Sequence, residues 1–220
     1  MSGTSLTPLQ RRILKALSGI DPPWTLTGGG ALAGVYLGHR LTRDLDLFWR
    51  NRPDLGDLVR AAEAALAANG LDARPLRTAP SYAQLRVADQ RDVCIVDLVA
   101  EPFGPIQGPF LVEIDGVGIG VDTRHEILAS KLAALLERSE LRDLIDVKAL
   151  LEAGEDFASA LRDAPQKDAG FSALTLAWVL HGFDVRLAAG TLGVGDDDAD
   201  SLVEFRDQLI ERLTAAGAPE

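Results

Sequence analysis

Cysteine is nearly absent: Cys94 is the only one in 220 residues, and it lies inside the apolar run Val93-Cys94-Ile95-Val96. A disulfide framework and a cysteine-rich zinc site are therefore excluded, and the chain suits a reducing compartment. Long hydrophobic runs are absent too. Met1 to Gln10 lacks the apolar segment of a signal peptide, and Asp or Arg interrupts every apolar stretch well short of the roughly 20 residues that span a bilayer. The expectation is a cytoplasmic protein with no membrane association. An excess of basic residues is also lacking, since 22 Lys and Arg stand against 33 Asp and Glu for a net charge of −11. Such a charge repels phosphates at long range and argues against a broad nucleic-acid-binding surface.

What is present is enough apolar residue, 47% of the chain, to bury a sizeable core in one large domain or two small ones. A disordered or fibrous chain is excluded. The charge is unevenly spread. Residues 1–100 hold 12 basic against 10 acidic residues, while 101–220 hold 10 against 23. This shift places a domain boundary near residue 122, with a strand-containing core over 1–122 and an acidic helical domain over 123–220. There is no internal repeat and no low-complexity tract.

Thr7-Pro8 marks a helix start, threonine at the N-cap and proline at the first helical position. Trp24 to Thr27 reads as a strand, Gly28 to Gly30 as a tight turn, and Ala31 to Leu37 as a helix closed by Gly38. A second strand covers Leu45 to Trp49, and Asp54 is expected to cap a helix ending at Asn69-Gly70. Short strands follow at 83–88, 93–99, 111–114 and 117–121, the last two joined by the Asp115-Gly116 turn. From His125 onward the periodicity is helical, over 127–136, 141–151, 171–180 and 199–213. The fold class is thus α/β (α+β): a mixed sheet followed by helices.

The most informative segment is TGGGALAGVYLGHRLTRDLDLF, residues 27–48. Alternate side chains of a strand share a face, so Asp44 and Asp46 lie on one side, close enough to hold a divalent cation, with Leu45 turned to the core. Nucleotidyl transfer needs such a pair, because Mg2+ bound by one or two carboxylates and by substrate phosphates neutralises the departing pyrophosphate. Gly28 and Gly29 would let the backbone approach those phosphates. A third carboxylate, Asp97, sits in the apolar strand Cys94-Ile95-Val96-Asp97-Leu98-Val99, where metal binding or proton abstraction would justify a charge. A rival reading is a dinucleotide-binding (Rossmann) protein, since Gly28, Gly30 and Ala33 fit G-x-G-x-x-A after a strand and Asp46 lies 18 residues beyond Gly28. Against it, Asp44 and Asp46 precede the apolar Leu47-Phe48-Trp49 instead of ending that strand.

GGGAL followed by HRLTRDLDLF resembles the AbiEii/AbiGii toxin family of nucleotidyltransferases, with Thr42 where serine is commoner. The stretch HEILASKLAALLERSELRDLIDVKALL is similar to that family's helical motif, a lysine and an arginine followed by Arg-Asp-x-x-Asp. The resemblance covers most of residues 24–151. It implies a nucleotidyltransferase-fold core. Together with the residue pattern, this makes Asp44, Asp46 and Asp97 the expected catalytic and Mg2+-binding residues and Gly28, Gly29 and Arg43 expected nucleotide contacts. The resemblance further implies nucleotide contacts from Lys131 and Arg138, with Arg142, Asp143 and Asp146 supporting or completing the site, Asp143 as a nucleotide-binding residue. On one continuous helix Lys131 and Arg138, seven residues apart, share a face. The implied partners are an NTP, an RNA acceptor such as the tRNA 3′ end, and a cognate antitoxin, with small molecules and protein hydroxyls open as other acceptors.

An RNA acceptor needs a local basic footprint, for which Arg11, Arg12, Lys15, Arg40, Arg43, Arg50 and Arg52 are the candidates. His39, His125 and His181 are too scattered for a metal site. Asp196 to Asp198 with Asp200 lack the spacing of a calcium loop and read as a helix N-terminus. A non-catalytic protein of the same fold, binding nucleotide or antitoxin without turnover, stays open as the alternative.

Overall fold

A computed structural model describes residues 5–217. The chain divides into two compact units, one reaching to Thr123 and the other beginning at Arg124.

The first unit is built on a seven-stranded mixed sheet: β1 (Thr25–Thr27), β2 (Asp44–Arg50), β3 (Asp72–Ala79), β4 (Tyr82–Ala88), β5 (Val93–Glu101), β6 (Phe110–Ile114) and β7 (Val117–Val121), in the order β3-β4-β5-β2-β1-β7-β6. The β2/β5 and β1/β7 pairs are parallel and the other four antiparallel. Alternation in β2, β5 and all but the end of β4 buries Leu45, Leu47, Trp49, Leu85, Val96 and Leu98 on one face. Helices α1 (Pro8–Leu17) and α3 (Leu58–Ala68) contribute Leu9, Ile13, Leu14, Leu17, Ala62 and Leu66 to the core.

Helix α1 starts where Thr7-Pro8 places it. The Thr7 hydroxyl accepts from the Gln10 amide, and the Gln10 side chain accepts from the Thr7 amide, a reciprocal capping box. The β6/β7 turn has positive φ at both Asp115 (49°) and Gly116 (82°), as a two-residue hairpin of primed type requires.

Three expectations are corrected. The glycines are not a turn before a helix: helix α2 (Gly28–Ala31) begins on the first of them and continues as a π-helical turn over Leu32–Leu37. Gly28 turns the chain by itself at φ +58°, and Gly38 closes the segment at φ +62°. Asp54 does not cap α3, because Gly56 at φ +50° breaks the chain direction and the helix starts after Asp57. Strand β3 was not expected, because as an edge strand it is exposed on nearly every residue and shows no apolar alternation.

The antiparallel β1/β2 pairing also rules out the dinucleotide-binding reading, whose first two strands run parallel through a crossover helix.

The second unit contains α4 (Arg124–Arg138), α5 (Leu141–Glu152), α6 (Phe157–Asp163), α7 (Ala173–His181), α8 (Val185–Leu192) and α9 (Asp196–Gly217). The short helices α6 and α8 are unanticipated, and each is started by a side-chain cap, Asp156 on the Ala158 and Ser159 amides and Asp184 on the Leu187 amide. Asp196, Asp197 and Asp198 occupy the first turn of α9, where the helix dipole favours negative charge.

Candidate active site

Strand β2 carries Asp44, Asp46, Phe48 and Arg50 on the face opposite its buried Leu45, Leu47 and Trp49. The neighbouring parallel strand β5 places Asp97 directly opposite Asp46 and Ile95 opposite Asp44. Opposed residues of paired strands share a face, so the three carboxylates expected to act together lie on one side of the sheet, two on β2 and one on β5.

Asp97 is held from the far side by strand β4. Its Oδ1 accepts from the Tyr82 hydroxyl at 2.8 Å and from Gln84 Nε2 at 3.0 Å. Gln84 stands opposite Asp97 in the β4/β5 register. Burial pushes the Tyr82 phenol up to about 12, helped by its hydrogen bond to Asp97, the Asp97 charge and the more distant Asp46. The phenol therefore remains a donor to Asp97 at neutral pH. Neither Tyr82 nor Gln84 was singled out from sequence. The usable signal was their spacing, two polar side chains two residues apart in an alternating strand.

The glycines are explained by side chains of the Asp-x-Asp segment. A Cβ on Gly28 would collide with the Asp46 carboxylate, and one on Gly29 would stand 2.9 Å from Arg40 Nη2 and 3.2 Å from Thr42 Oγ1. Asp46 thus lies against the first residue of a helix whose opening amides have no intrahelical acceptor. That end of a helix carries partial positive charge.

Among the described residues no group of three His, Cys, Asp or Glu side chains is gathered to hold a metal ion. The hard oxygen pair Asp44 and Asp46 still fits Mg2+, which takes one or two carboxylates and completes its shell with water and substrate phosphate.

Beside the carboxylates, Cys94 is buried on the opposite face of β5. Its thiol is pushed up to about 12, first by burial and then by the charges of Asp44, Asp92 and Asp46. It is an inert core residue.

The helical unit gathers its own charged cluster. Lys131 on α4 places Nζ 2.7 Å from Asp143 Oδ1 and 2.7 Å from Asp146 Oδ2, both on α5. The two carboxylates are buried, with side chains 1% and 0% exposed. Burial alone would lower the Lys131 pKa, but the charges of Asp146 and Asp143 outweigh it and hold the ammonium above its ordinary value. Arg138, on the same helix, donates from Nε to Asp143 Oδ2 at 2.8 Å and from Nη2 to Asp143 Oδ1 at 3.1 Å. Lys131 and Arg138 do share a face, and what that face meets first is Asp143.

The expected basic footprint is largely cancelled. Arg11 pairs with Asp115, Arg12 with Asp89, and the buried Arg50 with Glu101 and Asp122, while Lys15 donates to the Asp115 carbonyl. His125 pairs with Asp163 at 2.8 Å.

The model of the family described as "Nucleotidyl transferase AbiEii toxin, Type IV TA system" matches residues 12–216. The chain belongs to the AbiEii nucleotidyl transferase toxin family. It is, accordingly, a nucleotidyltransferase. Two solved structures from Helicobacter pylori share the fold. One, described as a "putative nucleotidyltransferase", is 23% identical with a TM-score of 0.55 and 96% of each chain covered. The other, JHP933, is 21% identical with a TM-score of 0.51, covering 94% of this chain and 91% of its own. No curated protein matches the sequence. Among the described residues of this AbiEii-family chain, no helix is long and apolar enough to cross a membrane.

Proposed function

We propose that this nucleotidyltransferase moves a nucleoside monophosphate from an NTP to an acceptor hydroxyl at the Asp44, Asp46 and Asp97 face. The observation that supports this most is the register of Asp46 with Asp97, together with the seating of Asp46 against Gly28 at the start of α2. Asp44 and Asp46 would hold Mg2+, which supplies charge neutralisation for the departing pyrophosphate. Gly28 and Gly29 would offer helix-opening amides to the triphosphate. The hydroxyl oxygen of the acceptor attacks the α-phosphorus, and the bond from that phosphorus to the β-phosphate oxygen breaks. Pyrophosphate leaves with the electron pair, and the hydroxyl proton passes to Asp97 Oδ2, the oxygen that Tyr82 and Gln84 leave unengaged.

In the helical unit Lys131 holds Asp143 and Asp146, and Asp143 orients the half-exposed Arg138, which is this unit's own phosphate-binding group. Arg43, beside Asp44, is a further nucleotide contact. RNA such as the tRNA 3′ end is the acceptor in this reading, and the family's description as a type IV toxin–antitoxin system supports a cognate antitoxin as partner.

The test is incubation with each labelled NTP, Mg2+ and total tRNA, comparing wild type with Asp46→Asn and Asp97→Asn. Wild type should label RNA. Asp97→Asn should lose at least roughly 100-fold in transfer if its carboxylate takes the proton, with NTP binding changed much less. Wild-type transfer by Asp97→Asn would reject its role, and absence of both label and NTP binding in the wild type would favour a non-catalytic protein.

A further inference from the structure

The row of residues that carries the carboxylates continues beyond them. Asp46 is opposite Asp97, Asp97 opposite Gln84, and Gln84 opposite Arg77. In the next row Asp44 is opposite Ile95, Ile95 opposite Arg86, and Arg86 opposite Arg74. Strands β3 and β4 therefore carry three arginines on the same side of the sheet as the carboxylates, beginning on the strand adjacent to Asp97.

Arg74 is tied to Asp72 at 3.1 Å. Arg77 and Arg86 make no ion pair among the described residues, whereas Arg11, Arg12 and Arg50 of the same unit are each set against a carboxylate. Arg77 is exposed and Arg86 partly so. Charges on an edge strand deter strand-to-strand association, which would account for Arg74 and Arg77 but not for Arg86, whose strand is paired on both sides. Next to the arginines the same face presents two partly exposed aromatics, Tyr82 and Phe48, both opposite Val99. Arginines beside aromatic rings are the combination that holds phosphates and bases of an unpaired strand.

We propose that this face of β3 and β4 binds the acceptor as a single-stranded nucleic-acid end, its phosphates on Arg77 and Arg86, so that its terminal hydroxyl reaches Asp97. The inference rests on the nucleotidyl-transfer reading and adds to it the residues that select the acceptor. A short single strand suits a footprint of two free arginines, because the net charge of −11 repels an extended duplex.

The test is binding of a fluorescent single-stranded RNA with a free 3′ hydroxyl, without NTP, over a salt series. Wild type is compared with Arg77→Ala/Arg86→Ala and Arg77→Lys/Arg86→Lys. The alanine pair should raise Kd at least roughly tenfold at low salt. Its plot of log affinity against log salt should be shallower by about 1.4, as two lost phosphate contacts on a single strand require. The lysine pair should keep the wild-type slope, and NTP affinity should be unchanged in both. Wild-type affinity and slope in the folded alanine pair would overturn the inference, as would no RNA binding by the wild type. Because binding is read without NTP, these outcomes are separate from failure of NTP binding, which would instead sink the transfer reading.

Discussion

Lys131→Ala should destabilise the helical unit before it says anything about nucleotide. The substitution removes one ammonium from two buried carboxylates, each 2.7 Å from Nζ. Removing one partner of a buried ion pair costs about 3–5 kcal/mol, because the remaining charge loses its compensation in a poorly solvated site. Arg138 still reaches Asp143 through two hydrogen bonds, which offsets part of the loss. For a chain of this length about 1 kcal/mol shifts Tm by roughly 2–4 °C, which puts the expected drop at about 6–20 °C. Arg138→Ala, whose side chain is half exposed, should cost only about 1 kcal/mol, nearer the range of surface pairs. Thermal and urea unfolding of both variants, with Lys131→Met/Asp143→Asn/Asp146→Asn as the neutral replacement, measures the difference. The neutral triple should recover much of the stability lost by Lys131→Ala, since it removes the ammonium and both of its buried carboxylates together. Because the folded Lys131 pKa lies above its ordinary 10.5, the contribution is complete below that pH and lost as pH rises through the higher folded value. Lys131→Ala melting within about 1 kcal/mol of wild type would refute the argument and return Lys131 to direct phosphate binding.

Gly28→Ala should abolish transfer and lower stability, because a methyl group there meets the Asp46 carboxylate at a backbone φ of +58°; activity and melting indistinguishable from wild type would show that Asp46 has no need of that seat. Cys94 should resist iodoacetamide at pH 8 in the folded protein and react as one thiol per chain in denaturant, since its thiol is pushed up to about 12; rapid native labelling would contradict its burial. The Tyr82 phenol, raised from 10.0 to about 12, should contribute to stability fully below pH 10 and lose that contribution as pH rises through 12. Asp97→Asn should bring its ultraviolet titration back toward 10, and an unmoved titration would mean that Asp97 does not sense it.

The parts of this molecule that follow a local period were legible in the sequence. Asp44 and Asp46 declare a shared strand face because they are two residues apart between apolar neighbours. Asp97 declares itself because a charge interrupts an otherwise apolar strand. Lys131 and Arg138 declare a shared helix face through their spacing. What each face meets was not legible, because that depends on pairing between distant segments. Tyr82 and Gln84 become partners of Asp97 only through the β4/β5 register, and Arg77 joins their row only through a register shift between Pro75 and Arg77.

The same limit explains why charge arithmetic overcounts the cations available to a basic footprint. Counting Arg12 and Arg50 as available cations ignores Asp89 and Asp122, which are 77 and 72 residues away in sequence and within hydrogen-bond distance in space. The acid that cancels them is spread along the chain, while the arginines left on the β3/β4 face are those whose in-register neighbours are glutamine, isoleucine and each other. A local positive potential in an acidic protein therefore arises from which cations the sheet register leaves without a carboxylate, and net charge per segment carries no information about that. Screening makes the distinction sharper at physiological salt, since charges beyond roughly 8 Å contribute little to an exposed arginine and the immediate neighbours decide its field.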